Sequence, residues 1–383
     1  CVGSKYAYYV GWFLTIIYYP CLTSVLSWLS ARYTLVFITS IAPDFPLLGL
    51  GAAAGAETVL GPECMSLAMF YMCCVYAVNA LSPKLAGKLQ VSATIIKLIP
   101  LFLMAVVGII VGLANGTLAN NFNTLADVGT TSTNPLFASV CATAFAYEGW
   151  IIATSINAEL KDAKKNLPRA LVIGAIIIIA TYIFYYVGVA GGATNQELID
   201  SGATVAFINV FGNVLGNILN LFIAISCIGT MNGLMLGCVR GLYSIAVRGR
   251  GPAPHVFSQI DKETNMPHNS AIVGLLLCGF WGLYFFLANL AGTWSGPFVF
   301  DSSELPIITI YMLYLPIFVM WIKKATDESA MRRYVLPLLA ICGSLFMIYA
   351  SIMGHGIACF WYLIVFAAVM AVGFAFSKEK PIN

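Results

Sequence analysis

Six consecutive residues combine a carboxylate, a glycine and three aromatic rings inside an apolar segment of membrane-spanning length, Pro135 to Ile156. At ~1.5 Å of rise per residue the segment crosses a bilayer and leaves Glu148 near its midplane, where an unpaired charge costs several kcal/mol. An ionisable residue beside a helix-weakening glycine predicts a binding site. The alternative is that Glu148 is only paired within a bundle and Gly149 only lets two helices approach. The six candidate substrate-binding residues are Phe145, Ala146, Tyr147, Glu148, Gly149 and Trp150.

Lys97 is the second intramembrane charge that the sequence points to. It lies about eight to twelve residues into the apolar segment Leu89 to Leu113, which is too deep for its side chain to reach the membrane surface. Its ammonium therefore needs a carbonyl, hydroxyl or carboxylate partner.

The composition requires that these residues sit in a membrane protein. Of the 383 residues 60% are hydrophobic and 9% are charged, whereas soluble domains carry roughly a quarter charged residues. Apolar runs of about twenty residues recur along the chain, which predicts an all-α helical bundle rather than a barrel. Ten transmembrane helices are predicted, at about Tyr6–Leu35, Cys64–Leu81, Leu89–Leu113, Pro135–Leu160, Ala170–Gly191, Val205–Val239, Ala271–Leu290, Leu305–Ile322, Val335–Met353 and Phe360–Phe376.

The charged residues between these helices predict an orientation. Lysine and arginine concentrate in cytoplasmic loops, and here every cation except Arg32 and Lys97 falls on one side of a ten-helix count. We therefore expect both chain ends on the cytoplasmic side of the cell membrane, and we take this membrane to be a bacterial cytoplasmic membrane. Residues 240–269 are predicted to be a cytoplasmic amphipathic loop within one transmembrane domain, residues 1–383. The opposite loops carry Asp44, Glu57, Glu63, Asp127, Glu197, Asp200 and Asp301.

Other classes of site have little support. The cysteines fall mostly in apolar spans without C-x-x-C or metal-ligand spacing, and the three histidines are scattered, so no metal and no cofactor are predicted. Nucleic-acid binding is not supported either. Neither H-E-x-x-H nor G-x-S-x-G occurs, and no phosphate-binding glycine loop is present, which argues against an intramembrane enzyme.

Four segments resemble the amino acid–polyamine–organocation superfamily, in its branch of L-type and bacterial amino acid transporters. Phe145 to Pro168 resembles the family's broken sixth helix and the loop that follows it, with Asp162-Ala163 in place of the usual Asn-Pro pair. The segment from Asn232 to Pro254 is similar to the eighth helix and its R-x-x-Y-x-x-A-R-x-G tail. Trp12 to Tyr33 is similar to the third helix, and Thr94 to Pro100 to the start of the fifth.

The resemblance implies a LeuT-like inverted-repeat bundle that contains the family's helices 3 to 12 and lacks the first two. With the first helix a glycine-rich turn that holds the substrate carboxylate would also be absent, so the chain by itself is expected to carry half of the pocket. The implied function is a secondary active amino acid permease or exchanger that works by alternating access without sodium. A cationic amino acid or polyamine antiporter and a non-transporting membrane scaffold subunit are the alternatives. Membrane lipid is an expected partner, and no protein partner is indicated.

The resemblance also assigns roles to residues. Backbone carbonyls of Phe145, Ala146 and Glu148 would accept from the substrate ammonium, and the Phe145 ring would act as a gate. Lys97 would occupy the place of a sodium ion, between the family's first and eighth helices. Glu148 has three open roles: binding a substrate cation, carrying a coupled proton, or neutralising Lys97. Thr15 and Tyr19, one turn apart on one helix face, are added as pocket candidates.

Overall fold

The computed structural model describes residues 2–42, 62–124, 134–151, 161–290, 294 and 296–380. Within these ranges every regular element is a helix, and nine helices are long and apolar enough to cross a membrane. The chain is therefore an all-α, multi-pass membrane protein. The spans are α1 (Ser4–Ile41), α2 (Glu63–Leu81), α3 (Lys84–Ala114), α6 (Ala163–Gly192), α8 (Ala203–Ala246), α10 (His268–Leu290), α11 (Leu305–Lys324), α12 (Met331–His355) and α13 (Ile357–Ala375). Four shorter helices are α4 (Thr117–Asn123), α5 (Pro135–Tyr147), α7 (Asn195–Ser201) and α9 (Pro254–Phe257).

Each of the ten predicted helices has a counterpart, because α5 is the first part of the predicted interrupted helix. The rest of that prediction, residues 152–160, lies outside the described residues, as do Asp44, Glu57 and Asp127. The loop motif at residues 158–168 is described only from Lys161 onward.

Helix α1 is the centre of the bundle. It packs against α2, α8 and α10 and is largely buried, whereas α6 is largely exposed. This difference follows from sequence, since α1 carries small polar residues whose hydroxyls donate to carbonyls of their own helix, such as Ser24 to Cys21 and Ser30 to Leu26. Small side chains let neighbouring helices approach closely, while the β-branched run in α6 suits lipid contact.

Helices α3 and α6 touch backbone to backbone through glycines. A Cβ on Gly188 would lie 2.1 Å from the carbonyl oxygen of Met104, and one on Gly112 would lie 2.3 Å from the Cα of Gly191. Only hydrogen fits at such contacts. The α3 side of this contact includes a π-helical turn, Met104–Gly108.

We expect Gly188→Ala to lower stability by about 1–3 kcal/mol, the usual cost of forcing an extra methyl group into a packed contact. The measurement is the thermal unfolding midpoint of the purified protein in detergent. Gly174→Ala is the matched control, because Gly174 lies on the same helix with nothing within 4 Å of its built Cβ. Equal midpoints for the two variants would contradict the close contact.

The predicted start of the sixth transmembrane helix, at about Val205, is wrong. The backbone leaves the helix at Gly212, with φ 80° and ψ 170°, so that residues 203–211 form a short arm and residues 213–246 form the span. The arm folds back along the span, since the Thr204 hydroxyl donates to the Asn220 side chain at 3.2 Å. A Cβ on Gly216 would lie 2.6 Å from the Cα of Ile208. The apolar sequence continues through the turn, which is why hydropathy alone extends the helix too far.

One end of the bundle gathers both described chain ends and the region after α8. The Gly251 N–H donates to the Phe376 carbonyl at 3.1 Å, and the Lys380 N–H donates to the Gly249 carbonyl at 2.8 Å. Arg250 lies 3.6 Å from Glu379. The predicted loop 240–269 therefore begins inside α8, which ends at Ala246, and contains α9 before α10 starts at His268. Three segments that were predicted to share one membrane face lie together.

Candidate functional site

The helix that contains the polar hexapeptide is broken where the glycine stands. Helix α5 ends at Tyr147, Glu148 is extended with φ −82° and ψ 165°, and Gly149 has φ 108°; the chain is helical again at Trp150. A φ of this sign is strained for residues with a Cβ, and Gly149 adopts it at little cost. The predicted interruption is thus present at Glu148 and Gly149.

The Glu148 side chain is held by two donors. The Tyr18 hydroxyl of α1 donates to Oε1 at 2.7 Å, and the Gly149 N–H donates to the carboxylate. The carboxylate is therefore bound partly by the break itself and partly by a helix 130 residues away. A charged group with two donors avoids much of the cost of burial, which explains how an acid persists at this depth.

Tyrosines surround this carboxylate. Tyr19 of α1 and both Tyr311 and Tyr314 of α11 are close enough to interact with it electrostatically. The buried Tyr314 hydroxyl has no hydrogen-bond partner within the described part of the chain. Near Glu148 the Tyr18 hydroxyl is therefore already hydrogen-bonded, whereas the Tyr314 hydroxyl can bond a further group.

A cavity of about 60 Å³ lies against the break. Its walls come from α1, from α5 together with the break that follows it, from α8 and from α11, so four separate parts of the chain converge on it. Most of the wall is apolar, and its polar side chains are Tyr18, Glu148 and Thr230. The lining residues are Tyr18, Leu22, Leu26, Phe145, Glu148, Gly149, Thr230, Leu234 and Ile307.

Phe145 separates this cavity from a larger one. The second cavity, of about 360 Å³, lies between α1, α5, the end of α10 and the segment before α11, and Phe145 lines it too. Its polar wall includes Asn289, Asp301, Ser303 and Glu304. A half-buried aromatic ring therefore stands between a small, mainly apolar cavity and a wider acidic one.

The other hexapeptide residues lie outside the small cavity. Tyr147 packs edge-on against Tyr182 of α6, with ring centroids 5.1 Å apart, and Trp150 lies 5.5 Å from the ring of Tyr314. The Ala146 side chain is exposed. Their assignment to substrate binding stays a prediction.

Thr15 and Tyr19 do not line the cavity either. The Thr15 hydroxyl donates to the Gly11 carbonyl at 2.7 Å, and both side chains pack on glycines of α8, Gly241 and Gly237. Residues Leu14–Tyr18 form a π-helical turn, whose extra residue rotates the following side chains relative to an α-helix. Tyr18 contacts the break in consequence. Tyr18 was not among the predicted pocket residues, because no local signal in α1 distinguishes it from its neighbour Tyr19.

Lys97 faces α8. One turn before it, Ala93 packs against Gly229, and the Lys97 ammonium lies near the Cys227 thiol. It forms no hydrogen bond or ion pair with another described residue. Its role in coupling stays a prediction, and it lies outside both walls of the cavities around Glu148.

Asn232 of α8 anchors a buried polar network rather than the cavity. Its side chain accepts from Asn79 of α2 at 2.8 Å and donates to Gln90 and to the Ala86 carbonyl of α3, each at 3.1 Å. These hydrogen bonds join α2, α3 and α8, and buried amide side chains commonly join helices in this way in membrane bundles.

Comparisons with known proteins find one matching family model and several relatives. A family model described as amino acid permease matches residues 1–376. The serine/threonine exchanger SteT of Bacillus subtilis (strain 168) is 26% identical over 389 residues, covering 99% of this chain and 80% of SteT. Asc-type amino acid transporter 1 of Mus musculus is 27% identical over 72% of this chain and 48% of its own length. The b(0,+)-type amino acid transporter 1 of Rattus norvegicus is 26% identical over 76% of this chain and 58% of its own length. The chain thus spans about half the length of these two mammalian relatives.

Proposed function

Because the chain belongs to the amino acid permease family, we propose that it exchanges amino acids across the cell membrane by alternating access around the break in α5. The observation that carries the proposal is the cavity beside Glu148 and Gly149. An unwound backbone at membrane depth is tolerated where its polar groups line a cavity or meet a ligand. A zwitterionic amino acid supplies both a donor and an acceptor for such groups.

The substrate we propose first is a small neutral amino acid. SteT, which aligns with almost all of this chain, is named as a serine/threonine exchanger, and the cavity at the break is small and mostly apolar. In the proposed complex the carbonyls of Phe145 and Ala146 accept from the substrate ammonium. Leu22, Leu26 and Ile307 are positioned to contact the side chain.

A cationic amino acid or polyamine is the second candidate substrate, and Glu148 favours it. This carboxylate lines the cavity, and its two known donors leave acceptor capacity for a third. A substrate cation bound there would find the only carboxylate in the described lining of the small cavity. The two candidate substrate classes differ in whether the substrate carries a further cationic group that Glu148 would bind.

Phe145 is proposed as the gate between the two cavities. It lines both, so rotation of one side chain joins the 60 Å³ and 360 Å³ spaces. Alternating access requires that the two sides of a substrate site never open together, and a bulky ring at this position suits that task.

We expect Phe145→Ala to uncouple exchange. Without the ring the two cavities merge. Preloaded substrate should then leave proteoliposomes in the absence of external substrate, at a rate at least about tenfold above that of the unchanged protein. A tenfold increase in rate corresponds to a barrier lowered by about 1.4 kcal/mol. Phe137→Ala is the control, because Phe137 lies on the same helix and packs on Tyr349, with ring centroids 5.3 Å apart. Tight coupling in Phe145→Ala would exclude the gate.

Orientation and coupling complete the proposal. We place the face that gathers Ser4, Arg250 and Lys380 in the cytoplasm, together with the C-terminus, because basic residues favour that side. Lys97 supplies a fixed positive charge between α3 and α8, and exchange is therefore proposed to be independent of sodium. Surrounding lipid contacts the exposed face of α6.

Counterflow in liposomes tests the function. Vesicles that contain the protein and unlabelled serine should accumulate external radiolabelled serine or threonine transiently, with and without sodium, and lysine and putrescine test the second candidate. Accumulation of none of the four above the level of protein-free vesicles would contradict the proposed transport activity.

A further inference from the structure

Three side chains with metal-binding donor atoms meet at one place outside the cavity at the break. They are Cys141, Glu304 and His355, and the thiol sulfur, a carboxylate oxygen and an imidazole nitrogen all lie within 4.8 Å of one another. His355 Nε2 lies 2.9 Å from Glu304 Oε2, and Cys141 is fully buried. Thiolate, imidazole and carboxylate are the donor types that bind zinc in proteins.

Each donor comes from a different, well-held element. Cys141 is in the middle of α5, Glu304 immediately precedes α11, and His355 is the last residue of α12. The backbone at Glu304 is fixed because its N–H donates to Asp301 Oδ1 at 2.9 Å, while its carbonyl accepts from Ile307 and Ile308. The set therefore depends on tertiary packing and not on the flexibility of one loop.

The spacing is close to that of a metal centre. Tetrahedral zinc with ordinary bond lengths separates its nitrogen, oxygen and sulfur ligands by about 3.3–3.6 Å. The imidazole–carboxylate pair would open by about 0.4 Å, and the thiol would approach by up to about 1.2 Å, to satisfy this geometry. Both shifts lie within the reach of side-chain rotation.

The site is connected to the larger cavity. Glu304 lines that cavity together with Asp301, and Asp301 is near enough to act electrostatically on both Cys141 and His355. An entering cation thus meets two carboxylates before it reaches the imidazole and the buried thiol. The acidic wall gives a route and a favourable potential for a divalent metal ion.

From this geometry we propose that Cys141, Glu304 and His355 form a binding site for a thiophilic divalent metal ion, with zinc as the natural choice and water as a fourth ligand. The ion would cross-link α5, which leads into the break, to α11 and α12. The chain spacing of the three residues gives no sign of this site, because the ligands come from three separate places: α5, the residue before α11, and the end of α12.

Cobalt(II) titration of the purified protein tests the proposal directly. Bound cobalt should show thiolate-to-metal charge transfer in the near ultraviolet and be displaced by zinc. We expect Cys141→Ser to lose that absorption, and His355→Gln and Glu304→Gln to weaken zinc binding by at least about tenfold, the smallest loss typical even for residues that only support a ligand. Absence of the charge-transfer band in the unchanged protein would overturn the site.

Two control variants make the assignment specific. Cys342→Ser removes an exposed thiol from α12, and His268→Gln removes a histidine that also pairs with a carboxylate, Asp261, at 3.6 Å. Both should keep the band and the affinity. Loss of the band in Cys342→Ser with retention in Cys141→Ser would likewise overturn the proposal.

A transport measurement adds the functional consequence. If the protein exchanges amino acids as proposed above, zinc on the side of the larger cavity should inhibit exchange in the unchanged protein, and His355→Gln should require a higher concentration. The binding experiment needs no transport activity, so a failure of the exchange function and a failure of the metal site give different results.

Discussion

Glutamine in place of Glu148 is expected to reduce uptake of lysine and other substrates with a cationic side chain by about 10- to 100-fold, the loss of one hydrogen bond to a charged group. Glutamine keeps the shape, and its one remaining side-chain oxygen can still accept from the Tyr18 hydroxyl, so the helix break should survive. What disappears is the negative charge at the cavity. Serine and threonine uptake should change much less.

Initial rates of competing substrates in proteoliposomes measure this change of ranking. Tyr18→Phe is a useful companion, since it removes the donor to Glu148 and leaves the carboxylate with more capacity for a substrate cation. Glu328→Gln is the control for loss of a carboxylate, because Glu328 pairs with Arg332 far along the sequence from the break. An unchanged order of substrates in Glu148→Gln would remove the cation-binding role.

Lys97→Ala should abolish most exchange, with initial rates at least about tenfold lower, whether or not sodium is present. The ammonium lies where α3 approaches α8, one turn from the contact between Ala93 and Gly229. Its removal leaves that junction without a cation, in a medium where no water replaces it. Lys97→Arg keeps the charge and should retain part of the activity.

Rates of serine exchange with and without sodium measure the effect. Lys88→Ala is the matched control, because Lys88 is an exposed lysine on the same helix. Normal, sodium-independent exchange by Lys97→Ala would show that this lysine is only a structural feature.

The break in α5 was predictable because its cause is local. A carboxylate next to glycine in an apolar span conflicts with a continuous lipid-facing helix, and the structure has the non-helical dihedrals at Glu148 and Gly149. The number of helices was predictable for a related reason, since hydropathy and the alternation of charged loops constrain each other. Both signals depend only on neighbouring residues.

Features that depend on distant contacts were not predictable in this way. Tyr18 takes the place next to Glu148 because a π-helical turn shifts α1, and nothing in the apolar run around it reveals that turn. Gly212 reverses the chain inside a stretch that reads as one helix. Its positive φ follows from the packing of the arm on the span, which hydropathy does not encode.

The small volume of the cavity at the break has a consequence for selectivity. About 60 Å³ holds a few water molecules at most, so an amino acid that binds there as proposed requires the site to expand, by rotation of Phe145 or by movement of the surrounding helices. Only the fraction of molecules that is already expanded can bind, so the apparent affinity is the intrinsic affinity multiplied by that fraction. If substrates bind at this cavity as proposed, a longer side chain demands more expansion, and the cost of expansion would favour small substrates over large ones.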